Sequence, residues 1–348
     1  MKVHLDGIVF SLQRHGGITV YFRELLQRMD KADVQFVLSL ETPLAQPEPP
    51  SAGTGGAVVA QPARLAERYR RCRALATTKA DLFHSTYYRL PAQRQLATVV
   101  TVHDFAYERC TRGPRSWLHS AQKRAAIRHA QAIICISQTT RDDLLELVGL
   151  RSGQQLHVVY NGVSPSFAPL PTRLPNEAAA FVLFVGQRSG YKNFRLAGLA
   201  LEHLPDIELH CVGGGPLQPS EVAHLSEPTR SRIKHRGYVS DEQLNRLYND
   251  AGCLLYPSAY EGFGIPVVEA MRAGCPVVSI RCKAVLEIGR GALTVAESDP
   301  RSLADAIALT LQPALRAELQ TRGFAIAQEF GWDRHADETL GVYKSVFG

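Results

Sequence analysis

Short apolar runs alternate with segments of helical period along the whole of this 348-residue chain. In the first half the runs VHLDGIVF, VQFVLSL, LFHST, ATVVTVHD, AIICIS and LHVVYNG have the length and β-branched content of strands. In the second half FVLFVG, IELHCVGG, IKHRGYV, GCLLYPS and PVVSI read the same way. Between them lie VYFRELLQRM, TRDDLLELVGL, FRLAGLALEHL and DEQLNRLYND, with apolar residues at helical spacing. Apolar strands interleaved with amphipathic helices predict parallel sheets covered on both faces. The series runs twice, which predicts two similar α/β domains, 1–163 and 164–332, with PSFAPLPTRLPNEAAA (165–180) as a Pro-rich linker. The stretch TPLAQPEPPSAGTGGAVVAQPA (42–63) has the composition of a loop within the first domain. The closing WDRHADETLGVYKSVF is an amphipathic helix, so 333–348 is expected to pack back on the N-terminal domain. Ligands of open α/β sheets bind at the carboxyl ends of strands, and two such domains facing one another would enclose a cleft there.

Composition narrows the class. Hydrophobic content of 45% and charged content of 21% are those of a soluble globular protein, and the length suffices for two cores. No apolar run approaches eighteen residues, so no spanning helix is predicted. The start, MKVHLDGIVFSLQRHGG, reads as a first strand rather than a signal peptide. Seven scattered cysteines without a C-x-x-C imply reduced thiols and a cytoplasmic setting, and give a zinc site no support.

Charge is unevenly placed. Residues 1–163 hold 21 Lys+Arg against 13 Asp+Glu, whereas 164–348 hold 18 against 20. The densest clusters are ARLAERYRRCRALATTK (63–79) and RSWLHSAQKRAAIRHA (115–130). In the second, Trp117, Leu118, Ala121 and Ala125 lie near Lys123, Arg124 and Arg128 at helical spacing. That pattern fits either a solvated helix face or attraction to an anionic membrane surface or polyanionic acceptor. No nucleic-acid motif accompanies it.

Candidate chemistry falls at strand ends. In GQRSGYKN (186–193) a glycine ends the strand FVLFV, and Arg188 and Lys192 follow at spacing four before a helix. Two such cations can converge on a diphosphate, helped by backbone N–H groups at the helix start. HCVGGGPL closes another strand with Gly213, Gly214 and Gly215, which either let a ligand approach the backbone or simply build a turn. It is not a dinucleotide fingerprint, since Gln218 stands at the sixth position and Pro216 and Pro219 interrupt the helix. Gly16 and Gly17 precede the first long helix as a candidate anion nest. His103 and Asp104 end the strand of TVHDF, where the histidine faces either a ligand or the core. ISQTTRDDL is a capping pattern, with acids expected in the first helical turn. Finally, SAYEGFGIPVVEAM holds two carboxylates, Glu261 after the strand CLLYPS and Glu269 in a helix starting near Phe263 or Gly264. Neither has a partner evident in sequence, and a hydroxyl-rich ligand would satisfy both as acceptors.

Taken in order, GG after the first strand, TVHD, IS-x-x-T-x-x-DL, VVYNGV, G-x-R-x-x-x-KN, VGGGP, GYVSDEQLNRLY and EGFGIPVVEAM-x-AG-x-PVV resemble the retaining glycosyltransferases of the GT-B fold, specifically glycosyltransferase family 4. LDGIVFSLQRHGGI and FHSTYYR (83–89) are most similar to bacterial O-antigen and exopolysaccharide mannosyl- and rhamnosyltransferases. The resemblance implies two Rossmann-like domains, an acceptor domain first and a nucleotide-sugar domain second. It implies that Glu261 meets the donor sugar's hydroxyls, with the backbone of Gly262, Phe263 and Gly264 beside sugar and phosphate. Glu269 would bind the ribose, and Arg188 and Lys192 the diphosphate. Gly213, Gly214, Tyr238 and Val239 would border the base. Gly16, Gly17, His103 and Asp104 would line the acceptor side. Gln187 and Ile265 are mild departures from the family pattern.

The activity so implied moves mannose or rhamnose from a GDP-sugar to a glycan or lipid-diphosphate-linked glycan, with retained configuration, in surface polysaccharide (lipopolysaccharide, O-antigen) synthesis. No metal or other cofactor is expected, since the family uses none and no D-x-D occurs. The setting is cytoplasmic, on the inner leaflet if the basic half binds lipid. Two rival readings are a sugar-nucleotide 2-epimerase of the same fold and a catalytically silent glycan-binding subunit.

Overall fold

The computed structural model describes residues 1–13, 16–32, 34–42, 56–64, 66–73, 79–171, 181–188 and 190–346. Most of the predicted linker, at 172–180, and most of the predicted loop, at 43–55, lie outside these. The chain forms two compact units, 1–162 with 332–348, and 163–331.

The first unit runs β1 (Lys2–Asp6), α1 (Ile8–Leu12), α2 (Gly17–Lys31), β2 (Gln35–Thr42), β3 (Gly56–Pro62), β4 (Leu82–Ser85), β5 (Ala97–Val102), α3 (Ala106–Cys110), α4 (Pro114–His129), β6 (Ala132–Cys135), α5 (Gln138–Leu147) and β7 (Gln155–Val158). The second runs β8 (Phe181–Val185), α6 (Phe194–Leu201), β9 (Glu208–Val212), α7 (Pro219–Val222), α8 (Glu227–Ser231), β10 (Ile233–His235), α9 (Asp241–Asp250), β11 (Leu254–Tyr256), α10 (Ile265–Arg272), β12 (Val277–Ile280), α11 (Lys283–Gly289), β13 (Thr294–Ala296), α12 (Pro300–Thr310) and α13 (Pro313–Ala327). A last helix, α14 (Trp332–Ser345), returns to the first unit.

Among the described residues every strand pairing is parallel. The strand orders are β3-β2-β1-β4-β5-β6-β7 and β10-β9-β8-β11-β12-β13. Both sheets are wound outward from their first strand, the doubly wound Rossmann arrangement, and ligands of such sheets bind where the winding reverses. Those switch points lie between β1 and β4 and between β8 and β11.

Three local expectations are corrected. VHLDGIVF is strand only to Asp6, because its pairing with β2 ends there; Ile8–Leu12 instead satisfies its backbone as a short helix with Ile8, Val9 and Phe10 buried. Residues 56–62 form an edge strand registered on β2 from Phe36↔Gly56 to Thr42↔Pro62, where the ladder overrides a loop-like composition and the proline sits harmlessly at the end. The acids of ISQTTRDDL fall beyond the first turn of α5, while Ser137 Oγ does cap the helix, accepting from the Thr140 N–H at 2.9 Å.

The return of α14 is set by its buried stripe of Trp332, His335, Thr339 and Tyr343. Tyr343 and His84 hydrogen bond at 2.6 Å, and His335 Nδ1 meets the Tyr160 carbonyl at 2.9 Å. Gly162 lies so close to the Trp332 backbone that no Cβ fits. The seven cysteines form no disulfides, and only Cys110 is exposed. Among the described residues no helix is long and apolar enough to cross a membrane.

One feature of the first unit had no signal in the sequence. Its switch point is filled by a buried ionic network. Asp6, at the end of β1, accepts from Thr86 N–H at 2.8 Å and Thr86 Oγ at 2.6 Å just beyond β4. Arg89 donates to Glu41 at 2.7 Å and Glu67 at 2.8 Å, and its Nε lies 3.9 Å from Asp6. Arg64 adds a two-pronged bond to Glu67. Desolvation pushes Asp6 up to about 7, whereas the bond from Arg64 first of all holds Glu67 down to about 2. Removing one partner of such a network strands the others. Arg89→Met is therefore expected to destabilise the first unit by about 3–5 kcal/mol, read as a lower denaturation midpoint. An unchanged midpoint would show that the network contributes no net stability.

Candidate active site

In the second unit the switch point holds a pair of opposite charges. β8 ends at Val185, and the chain passes Gly186 and Arg188 into a 3-10 turn, Gly190–Lys192, before α6. β11 ends at Tyr256, and Glu261 follows five residues later. Lys192 Nζ lies 2.6 Å from Glu261 Oε1 and 3.4 Å from the Tyr256 hydroxyl. The two loops are sewn together beneath the pair. Ala259 N–H donates to the Tyr191 carbonyl at 2.8 Å, and Asn193, with a left-handed φ of 53°, donates from its side chain to the Pro257 carbonyl at 3.0 Å. The side chains of Lys192 and Glu261 keep 16% and 11% exposure, so they are held but still reachable. That exposure separates this pair from the sealed network of the first unit.

Arg188 is placed differently from Lys192. Its guanidinium is buried against the glycine turn, donating to the carbonyls of Gly213 (2.7 Å), Gly215 (2.8 Å) and Pro216 (3.0 Å) and to Glu221 (3.0 Å). The turn can present these carbonyls because Gly213, Gly214 and Gly215 all have left-handed φ, of 84°, 75° and 73°. Three consecutive residues of that kind exclude side chains, and a Cβ on Gly214 would meet Arg188 Nη1 at 2.9 Å. The two cations expected together thus serve two structures, Arg188 the turn and Lys192 the acid of the next loop.

Glu269 sits in the first turns of α10, whose N-cap Gly264 has φ 105°. The Tyr248 hydroxyl, from α9, donates to Glu269 Oε2 at 3.0 Å. Desolvation raises the carboxyl to about 7, with that hydrogen bond pulling the other way. Gly262 and Phe263 are buried, Phe263 edge-on to Phe330 at 5.6 Å. Gly213 N–H donates to the Gly237 carbonyl at 3.0 Å, which sets the exposed Tyr238 and the neighbouring Val239 beside the glycine turn. Ten of the eleven expected donor-side positions therefore lie in the segments that follow β8, β9, β10 and β11, and Glu269 lies in α10.

The remaining candidates belong to the first unit. Gly17 opens α2, with Gly16 extended before it. His103 is buried, 5.0 Å from the ring of Tyr21 on α2, and its Nε2 has no hydrogen-bond partner. Burial lowers its pKa to about 3, so it is a neutral imidazole whose Nε2 is buried and unsatisfied. Asp104 Oδ1 accepts from Ala106 N–H at 3.0 Å, and the buried Lys123 donates to its carbonyl at 2.8 Å.

Sequence reasoning passed over Tyr248, Tyr256 and Glu221. Tyr256 carried a weak signal, a polar-tipped aromatic ending an apolar strand. Tyr248 lies 21 residues from Glu269 in sequence, and only folding joins them.

Two doubly wound parallel domains, with a lysine–glutamate pair and a left-handed glycine turn at the second switch point, define the GT-B class of sugar-transferring enzymes. The family model described as Glycosyltransferase Family 4 matches residues 15–167, and that described as Glycosyl transferases group 1 matches residues 179–312. The chain belongs to glycosyltransferase family 4 and is a glycosyltransferase. It is 28% identical over 301 residues to the O-antigen chain mannosyltransferase B of Escherichia coli, covering 81% of this chain and 78% of that protein. It is 32% identical over 234 residues to the MMP alpha-(1->4)-mannosyltransferase of Mycolicibacterium hassiacum, covering 65% and 56%. Similar solved structures include sucrose-phosphate synthase from Thermosynechococcus elongatus, with a TM-score of 0.79 at 20% identity over 100% of this chain and 99% of that one. Another is WaaG, a glycosyltransferase involved in lipopolysaccharide biosynthesis, with a TM-score of 0.71 at 15% identity over 98% and 99%.

The pKa of Glu269 is directly testable. Carboxyl-labelled protein should show a glutamate titrating near 7, and Tyr248→Phe, by removing the bond that favours the charged form, should move it higher. Because the folded value lies above the unfolded one, this group's contribution to stability is present below pH about 4.5 and lost as pH rises through 7. A native midpoint near 4.5 would show Glu269 to be well solvated.

Proposed function

We propose that this glycosyltransferase moves a hexosyl group, mannose or rhamnose, from a GDP-sugar to a glycan or lipid-diphosphate-linked glycan with retained anomeric configuration. The observation that carries the reading is the reachable Lys192–Glu261 pair at the second switch point, beside the left-handed Gly213–Gly215 turn. The choice of sugar and of surface polysaccharide synthesis rests on the two mannosyltransferase relatives, one of them acting on O-antigen chains.

In this reading the leaving diphosphate gains charge as the glycosidic bond breaks, and Lys192 turns from Glu261 toward it. Glu261 is then released to accept hydrogen bonds from the sugar's hydroxyls, beside the backbone of Gly262, Phe263 and Gly264. Arg188 acts through the turn it holds, keeping Gly213 and Gly214 open to the base together with Tyr238 and Val239. Glu269, once ionised, accepts from both ribose hydroxyls. The acceptor hydroxyl attacks from the side of the leaving group and passes its proton to the departing phosphate oxygen, so no enzymic nucleophile is needed. Gly16, Gly17, His103 and Asp104 take the acceptor, the neutral His103 offering an imidazole nitrogen as a hydrogen-bond partner. The positive charge comes from protein side chains rather than a metal ion. The basic first half draws the enzyme to the anionic inner leaflet, where a lipid-linked acceptor would lie.

Lys192→Ala is expected to lower kcat by on the order of a hundredfold or more, with activity in the parent enzyme unaffected by chelator. Near-normal turnover of the variant, or a chelator effect reversed by divalent ion, would refute the assignment. In a thermal-shift panel GDP should stabilise the protein more than UDP, dTDP or ADP. A larger shift with another base would reassign the donor.

A further inference from the structure

The first unit contains a cavity of about 310 Å³ that the transfer reaction as described does not use. One wall is the segment after β3, with Tyr69, Arg70 and Arg71; the facing wall is α4, with Leu118, Gln122 and Ala125. Tyr88, Arg89 and Leu90, just beyond the end of β4, complete the lining.

The walls are preformed. Gln122 Nε2 donates to the Arg68 carbonyl at 2.7 Å and so ties α4 to the opposite wall. Arg71 Nη1 donates to the Pro91 carbonyl at 2.8 Å, and Cys72 N–H to the Leu90 carbonyl at 2.8 Å. Arg89 donates to the Arg70 carbonyl at 3.2 Å while its charge is consumed by Glu41 and Glu67. The buried network thus positions the cavity without charging it.

Arginines stand at the rim. Tyr69, Arg70 and Arg71 are exposed, and α4 contains no acidic residue. The one acid of the 3-10 turn Glu67–Tyr69, Glu67 itself, is buried and paired. Beside the cavity-facing stripe of α4 runs a second, exposed stripe of Trp117, Ala121, Arg124 and Arg128. Trp117 is 73% exposed, Tyr69 45% and Leu118 41%. A large indole left in water next to arginines suits a lipid–water interface, where its ring is buried and the guanidinium groups meet phosphates.

We propose that this cavity receives the phosphate-bearing head group of an anionic lipid, with Trp117 and Leu118 entering the bilayer beside it. The inference rests on the membrane reading above and names the place where lipid is held. A purely diffuse attraction would need the charges but not the cavity.

The test uses the full chain and flotation with phosphatidylcholine vesicles, with and without phosphatidylglycerol. Parent protein should float only with phosphatidylglycerol, and salt should reverse it. Ala125→Trp fills the cavity without changing charge and should weaken binding about tenfold, on the scale of one cation–phosphate contact or a little more. Ala121→Trp adds the same ring to the outer stripe and should bind as well as the parent. Arg70→Glu/Arg71→Glu should abolish flotation, whereas Arg301→Glu/Arg322→Glu, an equal charge change in the second unit, should weaken it far less. Parent-like binding by Ala125→Trp would overturn the cavity inference and leave the membrane reading standing. Equal loss in both tryptophan variants would also overturn it. No vesicle binding by the parent, with mannose 1-phosphate bound instead, would overturn both and assign the cavity to a soluble sugar phosphate. Nucleotide-induced thermal shifts, which report the second unit, keep these outcomes separate from the transferase assignment.

Discussion

In a parallel sheet wound outward from its first strand, the loops leaving the two central strands must diverge, and the gap between them is the one place where side chains from both can meet above the sheet. The Lys192–Glu261 contact spans that gap in the second unit. Around it the neighbouring loops are arranged, by the Ala259–Tyr191 and Asn193–Pro257 bonds below and the Tyr256 hydroxyl alongside. Partial exposure leaves both charges in contact with solvent.

The first unit has the same topology and the opposite solution. Its switch point is closed by Asp6, Thr86, Arg89, Glu41 and Glu67, all buried. Burial is what distinguishes this sealed network from the partly exposed Lys192–Glu261 pair. A sealed network cannot exchange its partners for a ligand's without exposing several charges to low dielectric, so it serves to fix the chain around it. Here it fixes the segment that walls the lateral cavity.

Much of the candidate site was legible because glycines and charges at strand ends have few purposes. EGFGIPVVE and G-x-R-x-x-x-KN marked the positions that gather at the second switch point, and alternation of strands and helices predicted both parallel sheets. What stayed hidden depended on distant partners. The sequence showed Glu261 and Glu269 without partners, yet Lys192 and Tyr248 satisfy them from 69 and 21 residues away. Arg188 and Lys192 looked equivalent four residues apart, but the left-handed Gly213–Gly215 turn captured the guanidinium and left the ammonium. Residues 56–62 looked like loop until β2 supplied a ladder.

The sequence by itself therefore determined the periodicity, the two sheets, the positions of chemistry-bearing residues and their family. These are local properties, written in hydrophobic spacing, in glycine's access to positive φ and in motifs of contiguous residues. Tertiary structure alone decided which acid meets which base, which arginine is consumed by carbonyls, and how strongly each carboxyl is desolvated. Those outcomes depend on distances between segments remote in the chain and on exclusion of water, and neither exists until the sheets are assembled.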